Sequence, residues 1–357
     1  MLPRSRALTA ERVRRLLARR LGQERSARIV VPYEADEDIR KLAAQITFHA
    51  TGERHKLNAL RRYFRERGFL ERYDRGGLYT AVEVMRTGRG SCLSMANFFV
   101  ALARAAGLRA SYLDASEHDS EFGKSGSVLV RWGHVLVGVQ VGSRWVAVEF
   151  DGRLRRPQRY RLLSDLEVIA DYYNNVGSQK AWSPENPARF AAPEVIEAFT
   201  IATCVSPRFT RAWNNLGVAL SRADRPDEAA RAYRRAIALN PDFAAARANL
   251  GQLLRRNGDL EAALEMLAAA VRLEPDNAHY RYFLGRALAE AGRHGRALEH
   301  LRAGLARDGK FFLIRLQMAR IFELLGQDDR ARQQARRVLE LIPGQRDARM
   351  ILQRLGR

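Results

Sequence analysis

From residue 208 onward the chain repeats itself with a period of about 34 residues, and this restricts it more than any other feature. Leu-Gly occurs at Leu216-Gly217, Leu250-Gly251 and Leu284-Gly285, and the next position in phase is Met318-Ala319. The same period joins Ala229, Ala263, Ala297 and Ala331, and also Tyr233, Leu267, Leu301 and Ala335. Pro207, Pro241, Pro275 and Pro343 fall in one phase, with Gly309 in the remaining place. A unit this small cannot bury its own apolar face, so successive units must stack. Gly and Ala at fixed positions let two antiparallel helices approach closely, and larger residues fill the groove between pairs. Proline cannot continue a helix and ends the second one of each unit.

One period back from the second helix of the first unit stand Val195, Phe199, Ala202 and Pro207. The preceding helix would then be SDLEVIADYYNNVGSQ, with Ser164 and Glu167 as a capping box and Val176-Gly177 in the Leu-Gly position. The step from Gly177 to Val195 exceeds that from Gly217 to Ala229 by six positions, and the insertion lies around the turn-rich SPENPAR. Trp213, Leu216, Gly217, Ala229, Tyr233, Ala236 and Pro241 resemble the tetratricopeptide signature. The resemblance implies an all-α superhelix whose concave face docks a protein or peptide partner. The expected boundaries are an irregular first repeat with an insertion at 164–207, four repeats at 208–345 and a C-terminal capping helix at 346–357.

Ahead of the repeats the pattern is different. Residues 1–33 form a basic segment in which Val13, Leu16, Leu17 and Leu21 share one helical face. Helical patterns follow at about 36–50, 53–67, 78–86 and 92–106. The period then becomes two in LRASYL, SVLVRW, GHVLVGVQV and RWVAVEF, which read as strands. Helices followed by an antiparallel sheet make an α+β domain, expected over 34–163. The stretch 115–127, rich in Ser, Gly and acids, reads as a mobile loop.

In TGRGSCLSMANFFVALARAAGL, Cys92 lies in the first turn of an apolar helix, where unsatisfied backbone N–H groups and the helix dipole favour a thiolate. His134 opens a strand farther along, and Glu149 and Asp151 close the next one with equal parity. A thiolate, an imidazole base and an orienting carboxylate are the parts of nucleophilic acyl transfer. From Tyr79 to Gly152 the arrangement resembles the transglutaminase-like branch of the papain-like fold: Gly-x-Cys, a helix ending in Ala-Gly-Leu, a His at a strand start, and a Trp-led strand ending in an acid. The resemblance implies Cys92 as nucleophile, His134 as base and Glu149, four positions after Trp145, as the third residue, with Asp151 the alternative. Leu93 stands where the family often has Trp, and Glu149 where it commonly has Asp.

Two functions compete on this reading. One is a cysteine acyltransferase or peptidase acting on protein amides, with the repeats as docking array. The other is an inactive transglutaminase-like scaffold whose repeats do the work. The net charge of +21 raises a third, sequence-blind association with nucleic acid. Residues 1–100 carry 21 basic and 11 acidic residues, 101–200 carry 12 of each, and 201–357 carry 28 and 17, so the excess avoids the catalytic region. No recognition motif accompanies it, and no specific nucleic-acid partner is expected. His49, His55 and His118 have no metal-ligand spacing, and neither metal nor cofactor is expected. Cys92 and Cys204 make no disulfide framework, and Cys204, in an apolar helix, reads as a small buried residue. No apolar run reaches transmembrane length and the start has no apolar leader region. The expectation is a cytoplasmic protein, or a periplasmic or lipid-anchored one if the true start lies upstream, since similar bacterial proteins that join these two parts are often exported.

Overall fold

A computed structural model of the chain describes residues 8, 10–69, 72, 74, 77–114, 121–125, 128–132, 135–150, 161–181 and 187–356, with backbone alone over 121–132. It divides into two units, residues 1–223 and 224–357.

In the first unit some of the helices begin on side-chain caps that the sequence supplies. After α1 (Ala10–Leu21) and α2 (Gln23–Ala27) comes α3 (Glu37–Thr47), opened by Asp36, whose side chain accepts from the Ile39 N–H. Next are α4 (Gly52–Glu66) and α5 (Ala81–Thr87), the latter started by a Thr80–Glu83 capping box and stopped by Gly88 at φ 69°. The sixth helix, α6 (Cys92–Ala105), is apolar all round, and Leu93 to Ala103 are all buried. A four-stranded antiparallel sheet packs on it, in the order β5 (Arg144–Val148), β4 (Val135–Val141), β1 (Ala110–Asp114), β6 (Arg161–Leu163). Strands β2 (Glu121–Ser125) and β3 (Val128–Trp132) form a separate hairpin. Within the stretch expected as a loop over 115–127, Glu121–Ser125 is therefore strand, paired with Val128–Trp132, and the acids and glycine of EFGKS hid it.

Phe64, Phe69, Phe98, Phe99 and Phe150 meet with ring centroids 4.8 to 5.6 Å apart, filling the space between α4, α6 and the sheet. Val13 and Leu17 of α1 are fully buried in this same core, as are Val168 and Ile169 of α7 (Asp165–Ala181). Ser164 and Glu167 form the expected capping box: the Ser164 N–H donates to Glu167 Oε2 at 2.8 Å, and the Glu167 N–H donates to Ser164 Oγ at 3.3 Å. A short 3-10 turn (Pro187–Ala191), α8 (Pro193–Val205) and α9 (Thr210–Arg222) complete the unit. Helices α7 and α8 pack together, and a β-carbon at Gly177 would stand 2.7 Å from the Phe199 ring. Cys204, on α8, is half-buried rather than buried.

The second unit contains α10 (Pro226–Leu239), α11 (Ala244–Arg256), α12 (Leu260–Leu273), α13 (Ala278–Glu290), α14 (His294–Arg307), α15 (Phe312–Leu324), α16 (Asp328–Leu341) and α17 (Arg346–Arg354). Helices α11 and α12, α13 and α14, and α15 and α16 pack as pairs. At Gly251 and Gly285 an added β-carbon would lie 2.7 Å from Leu267 Cγ and Leu301 Cγ. In the third pair the corresponding residues are Ala319 and Ala335, both fully buried in one core cluster. A short side chain across the crossing makes room for the extra methyl.

The same period also governs the turns. The family's Trp position carries Trp213 once, in the first unit, and arginine afterwards. The Trp213 indole N–H donates to the Pro207 carbonyl at 3.0 Å. Arg247, Arg281, Arg315 and Arg349 donate to the carbonyls of Pro241, Pro275, Gly309 and Pro343 at 2.7 to 3.2 Å. Each turn carbonyl left over by a helix end is thus satisfied, by guanidinium in place of indole. Among the described residues no helix is long and apolar enough to cross a membrane.

Candidate functional site

Backbone topology collects the chemistry at one end of the sheet. Helix α6 runs from Cys92 to Ala105, turns through Gly107 at φ 79°, and returns as β1. The Tyr112 hydroxyl on β1 donates to Asn97 Oδ1 at 3.0 Å, so the end of β1 comes back beside the start of α6. Asp114, the last residue of β1, pairs with Val135, the first of β4. Val148, the last of β5, pairs with Val137. The start of α6, the end of β1, the start of β4 and the end of β5 therefore share one end of the domain.

Cys92 is the first residue of α6 and is half-buried. Ser91 precedes it as N-cap, with extended backbone and no side-chain cap on the first-turn N–H groups. Glu149 follows β5 directly and is half-buried. His134 and Asp151 lie outside the described residues.

A second segment is laid over the helix start. The Asp74 N–H donates to the Gly90 carbonyl at 3.1 Å and the Ser91 N–H to the Gly77 carbonyl at 3.2 Å. Ser94 is fully buried. Its hydroxyl accepts from the Tyr79 N–H at 2.8 Å, donates to the Gly77 carbonyl at 3.3 Å and lies 3.1 Å from Ser91 Oγ. The fit leaves no room for side chains: a β-carbon at Gly77 would meet Tyr79 Cε2 at 2.3 Å, and one at Gly90 would meet Ser94 Cβ at 2.7 Å. The sequence alone did not single out Ser94 or Asp74. The available signal was Ser94 itself, a hydroxyl inside an otherwise apolar helical run.

Behind the site, a buried ion pair joins this domain to the helices that follow. An Arg104 guanidinium nitrogen donates to Asp165 Oδ1 at 2.7 Å, the Leu8 N–H donates to Asp165 Oδ2 at 2.8 Å, and Arg104 lies over the Tyr33 ring at 5.1 Å. Burial, reinforced by the charge of Asp165, pushes the Tyr33 hydroxyl pKa well above its ordinary value. Burial does the same to Tyr112. Both phenols stay neutral and serve as packing and hydrogen-bonding groups.

Comparison with known proteins agrees with this layout. A family model for the transglutaminase-like superfamily matches residues 40–150. Three tetratricopeptide models match 192–242, 220–287 and 266–342. No curated protein matches the chain in sequence. Among solved structures, it is similar to PilW, a type IV pilus biogenesis factor, at 18% identity over 53% of this chain and 84% of that one, with a TM-score of 0.48. It is also similar to pilF of Pseudomonas aeruginosa, at 18% over 53% and 87% with a TM-score of 0.44. The thermophilic protein TTC0263 of Thermus thermophilus aligns at 21% over 52% and 98%, also with a TM-score of 0.44. The chain thus carries a transglutaminase-like core domain over residues 40–150, followed by tetratricopeptide repeats over residues 192–342.

Proposed function

We propose that the transglutaminase-like domain is a cysteine acyltransferase or peptidase acting on protein amides, and that the repeats hold the protein that presents or escorts the substrate. The observation that carries the reading is Cys92 at the first position of an apolar helix whose first turn Ser91 leaves uncapped, at the sheet end where β4 begins and Glu149 follows β5. Unsatisfied N–H groups and the positive end of the helix dipole favour a thiolate there and later the oxyanion of a tetrahedral intermediate.

On this reading His134 takes the Cys92 thiol proton. The thiolate attacks the amide carbonyl carbon, and the tetrahedral intermediate collapses with cleavage of the C–N bond. The same imidazole hands the proton to the departing amine, leaving a thioester on Cys92. Water or a second amine then attacks the thioester carbonyl, the C–S bond breaks and returns the thiol of Cys92, and His134 moves the proton from the acceptor to the sulfur. Glu149 accepts the other imidazole N–H, fixing the tautomer and stabilising the imidazolium. Its side chain is one methylene longer than aspartate, so on this reading its strand would stand slightly farther from the ring. Asp151, with the shorter side chain, is the alternative third residue.

The same reading counts α7 and α8 as a first, irregular repeat, because Gly177 meets Phe199 as Gly251 meets Leu267 and Gly285 meets Leu301. It places the partner, a protein or peptide segment, on the concave face of the array.

Thiol-directed labelling of Cys92 across pH tests the chemistry. Reaction well below the pH at which a free cysteine ionises, abolished in Cys92→Ala and weakened about tenfold or more in Glu149→Gln, is the expected result. A loss in Asp151→Asn alone would transfer the third role to Asp151. Labelling that follows an ordinary thiol in every variant would leave the inactive scaffold.

A further inference from the structure

We propose that one face of α4 docks this protein on an anionic lipid bilayer. The helix buries Leu57, Leu60 and Phe64 and turns its arginines outward. At about 100° per residue, Arg54, Arg61 and Arg65 fall within an arc of roughly 40°, with Arg62 about 60° beyond Arg65, and the row is about 16 Å long. All four are exposed, and none has a side-chain partner among the described residues. Arg14, Arg25 and Arg28 of the same unit, by contrast, pair with Glu34, Glu197 and Glu24. The acids of the helix lie off the arc that Arg54, Arg61 and Arg65 share. Glu53 stands about 100° from Arg54, and its carboxylate accepts from the Gly142 N–H at 2.7 Å. Glu66 stands about 100° from Arg65 but about 40° from Arg62, so Arg54, Arg61 and Arg65 are the part of the row clear of acids.

The second observation is Phe48, in the short turn that leads into α4. It is 80% exposed, the largest exposure of any large apolar residue described, with its ring edge against His49 at 4.8 Å. An unpaired row of guanidinium forks suits phosphodiester oxygens presented in a plane. An exposed phenyl four residues ahead of the helix in sequence suits the boundary between headgroups and acyl chains. A single-stranded polynucleotide surface would call for aromatic rings interleaved with the cations. Of the aromatic residues next to the row in sequence, Tyr63 is half-buried and covered by Arg67 at 5.7 Å, and Phe64 is buried.

The test is co-sedimentation of the full chain with phosphatidylcholine vesicles, with and without about one part in three of phosphatidylserine. Each cation at an anionic surface is worth roughly fivefold in partition, so R61Q/R65Q should bind phosphatidylserine vesicles about 25-fold more weakly. Phe48→Ser should bind severalfold more weakly, whereas Arg272→Gln, an exposed arginine of the second unit, should bind as the wild type does. All these positions are exposed, and circular dichroism melts confirm that the variants fold. Absence of binding, equal binding to pure phosphatidylcholine, or an equal loss in Arg272→Gln overturns the proposal. So does preferential capture by double-stranded DNA with Phe48→Ser silent, which would make the row a polynucleotide contact.

Discussion

Replacing Gly251 by alanine sets two known effects against each other at one helix crossing. Intrinsic helix propensity favours alanine over glycine by about 1 kcal/mol. Packing opposes it. The new β-carbon would lie 2.7 Å from Leu267 Cγ, 3.0 Å from Leu267 Cδ2 and 3.2 Å from the Ala263 carbonyl oxygen, all inside ordinary contact distance. Leu267 is fully buried and cannot swing aside, and the carbonyl belongs to the backbone of α12. Overpacking of this kind costs about 1–3 kcal/mol, so the net effect is a loss of up to about 2 kcal/mol, and larger for Gly251→Leu. The third pair suggests the rescue, since Ala319 is accommodated where Ala335 replaces leucine. Leu267→Ala alone should cost about 2–5 kcal/mol, and the double variant should cost less than the sum by about 1–2 kcal/mol. With two units in the chain, a single global unfolding free energy is not defined, so amide hydrogen exchange over α11 and α12 is the suitable measure. A Gly251→Ala variant stabilised by its propensity, or strict additivity in the double variant, would refute the close-crossing argument.

Asp165 is 3% exposed and Arg104 19% by side chain, so Asp165→Asn should leave a buried guanidinium without its counter-charge and destabilise the first unit by about 3–5 kcal/mol. Urea unfolding should show the single variant less stable than Arg104→Met/Asp165→Asn, in which neither charge remains; the reverse order would make the pair dispensable. His300 titrates below its ordinary value of 6.5 because of burial, and because of Arg281 and Arg296 against the weaker pull of Glu299. A lowered imidazole pKa means the unfolded chain binds the proton more readily, so its contribution to stability is complete above 6.5 and is lost as pH falls through the folded value. The melting temperature of α13 and α14 should fall between pH 7 and 5 in the wild type and fall less in His300→Gln; equal slopes would remove His300 from the account.

The array was legible because its constraint is local and repeated. Gly251, Gly285 and Ala319 each announce a crossing ahead of the residue they meet, Leu267, Leu301 and Ala335, and one register serves every unit. The helix and strand order ahead of it was readable from a change of period, and the Ser164–Glu167 cap from a short local signature. What escaped is what depends on pairing at a distance. Strand β6 is short and exists because Arg161 to Leu163 find Asp114 to Tyr112. Strand β2 carries Gly, Lys and Ser and is a strand by virtue of β3. The arginines in the Trp position looked like charge on a solvated face. Their bonds to the carbonyls of Pro241, Pro275, Gly309 and Pro343 appear only when the turn is folded beneath them.

The candidate site divides along the same line. Cys92 could be read because the glycines before it and the apolar helix after it are neighbours in sequence, and a helix start carries its electrostatics with it. The convergence of Cys92 with the ends of β1, β4 and β5 follows from connectivity. A helix that turns through Gly107 into β1, followed by antiparallel neighbours, must return each alternate strand end to the start of α6. The support of that start could not be read this way. Gly77, Tyr79 and Asp74 come from a different segment, and their hold on residues 90–94 rests on a buried hydroxyl whose partners are all backbone groups or another serine. Backbone partners carry no sequence signature, so the only legible trace was Ser94 standing where every other consideration calls for an apolar residue. A buried polar side chain that satisfies two backbone groups of another segment fixes that segment's position more narrowly than apolar contact does, because moving it strands two hydrogen-bonding groups away from water. The start of α6 is thereby fixed against Asp74, Gly77 and Tyr79, and on the proposed reading that is the rigidity a nucleophile at Cys92 would require.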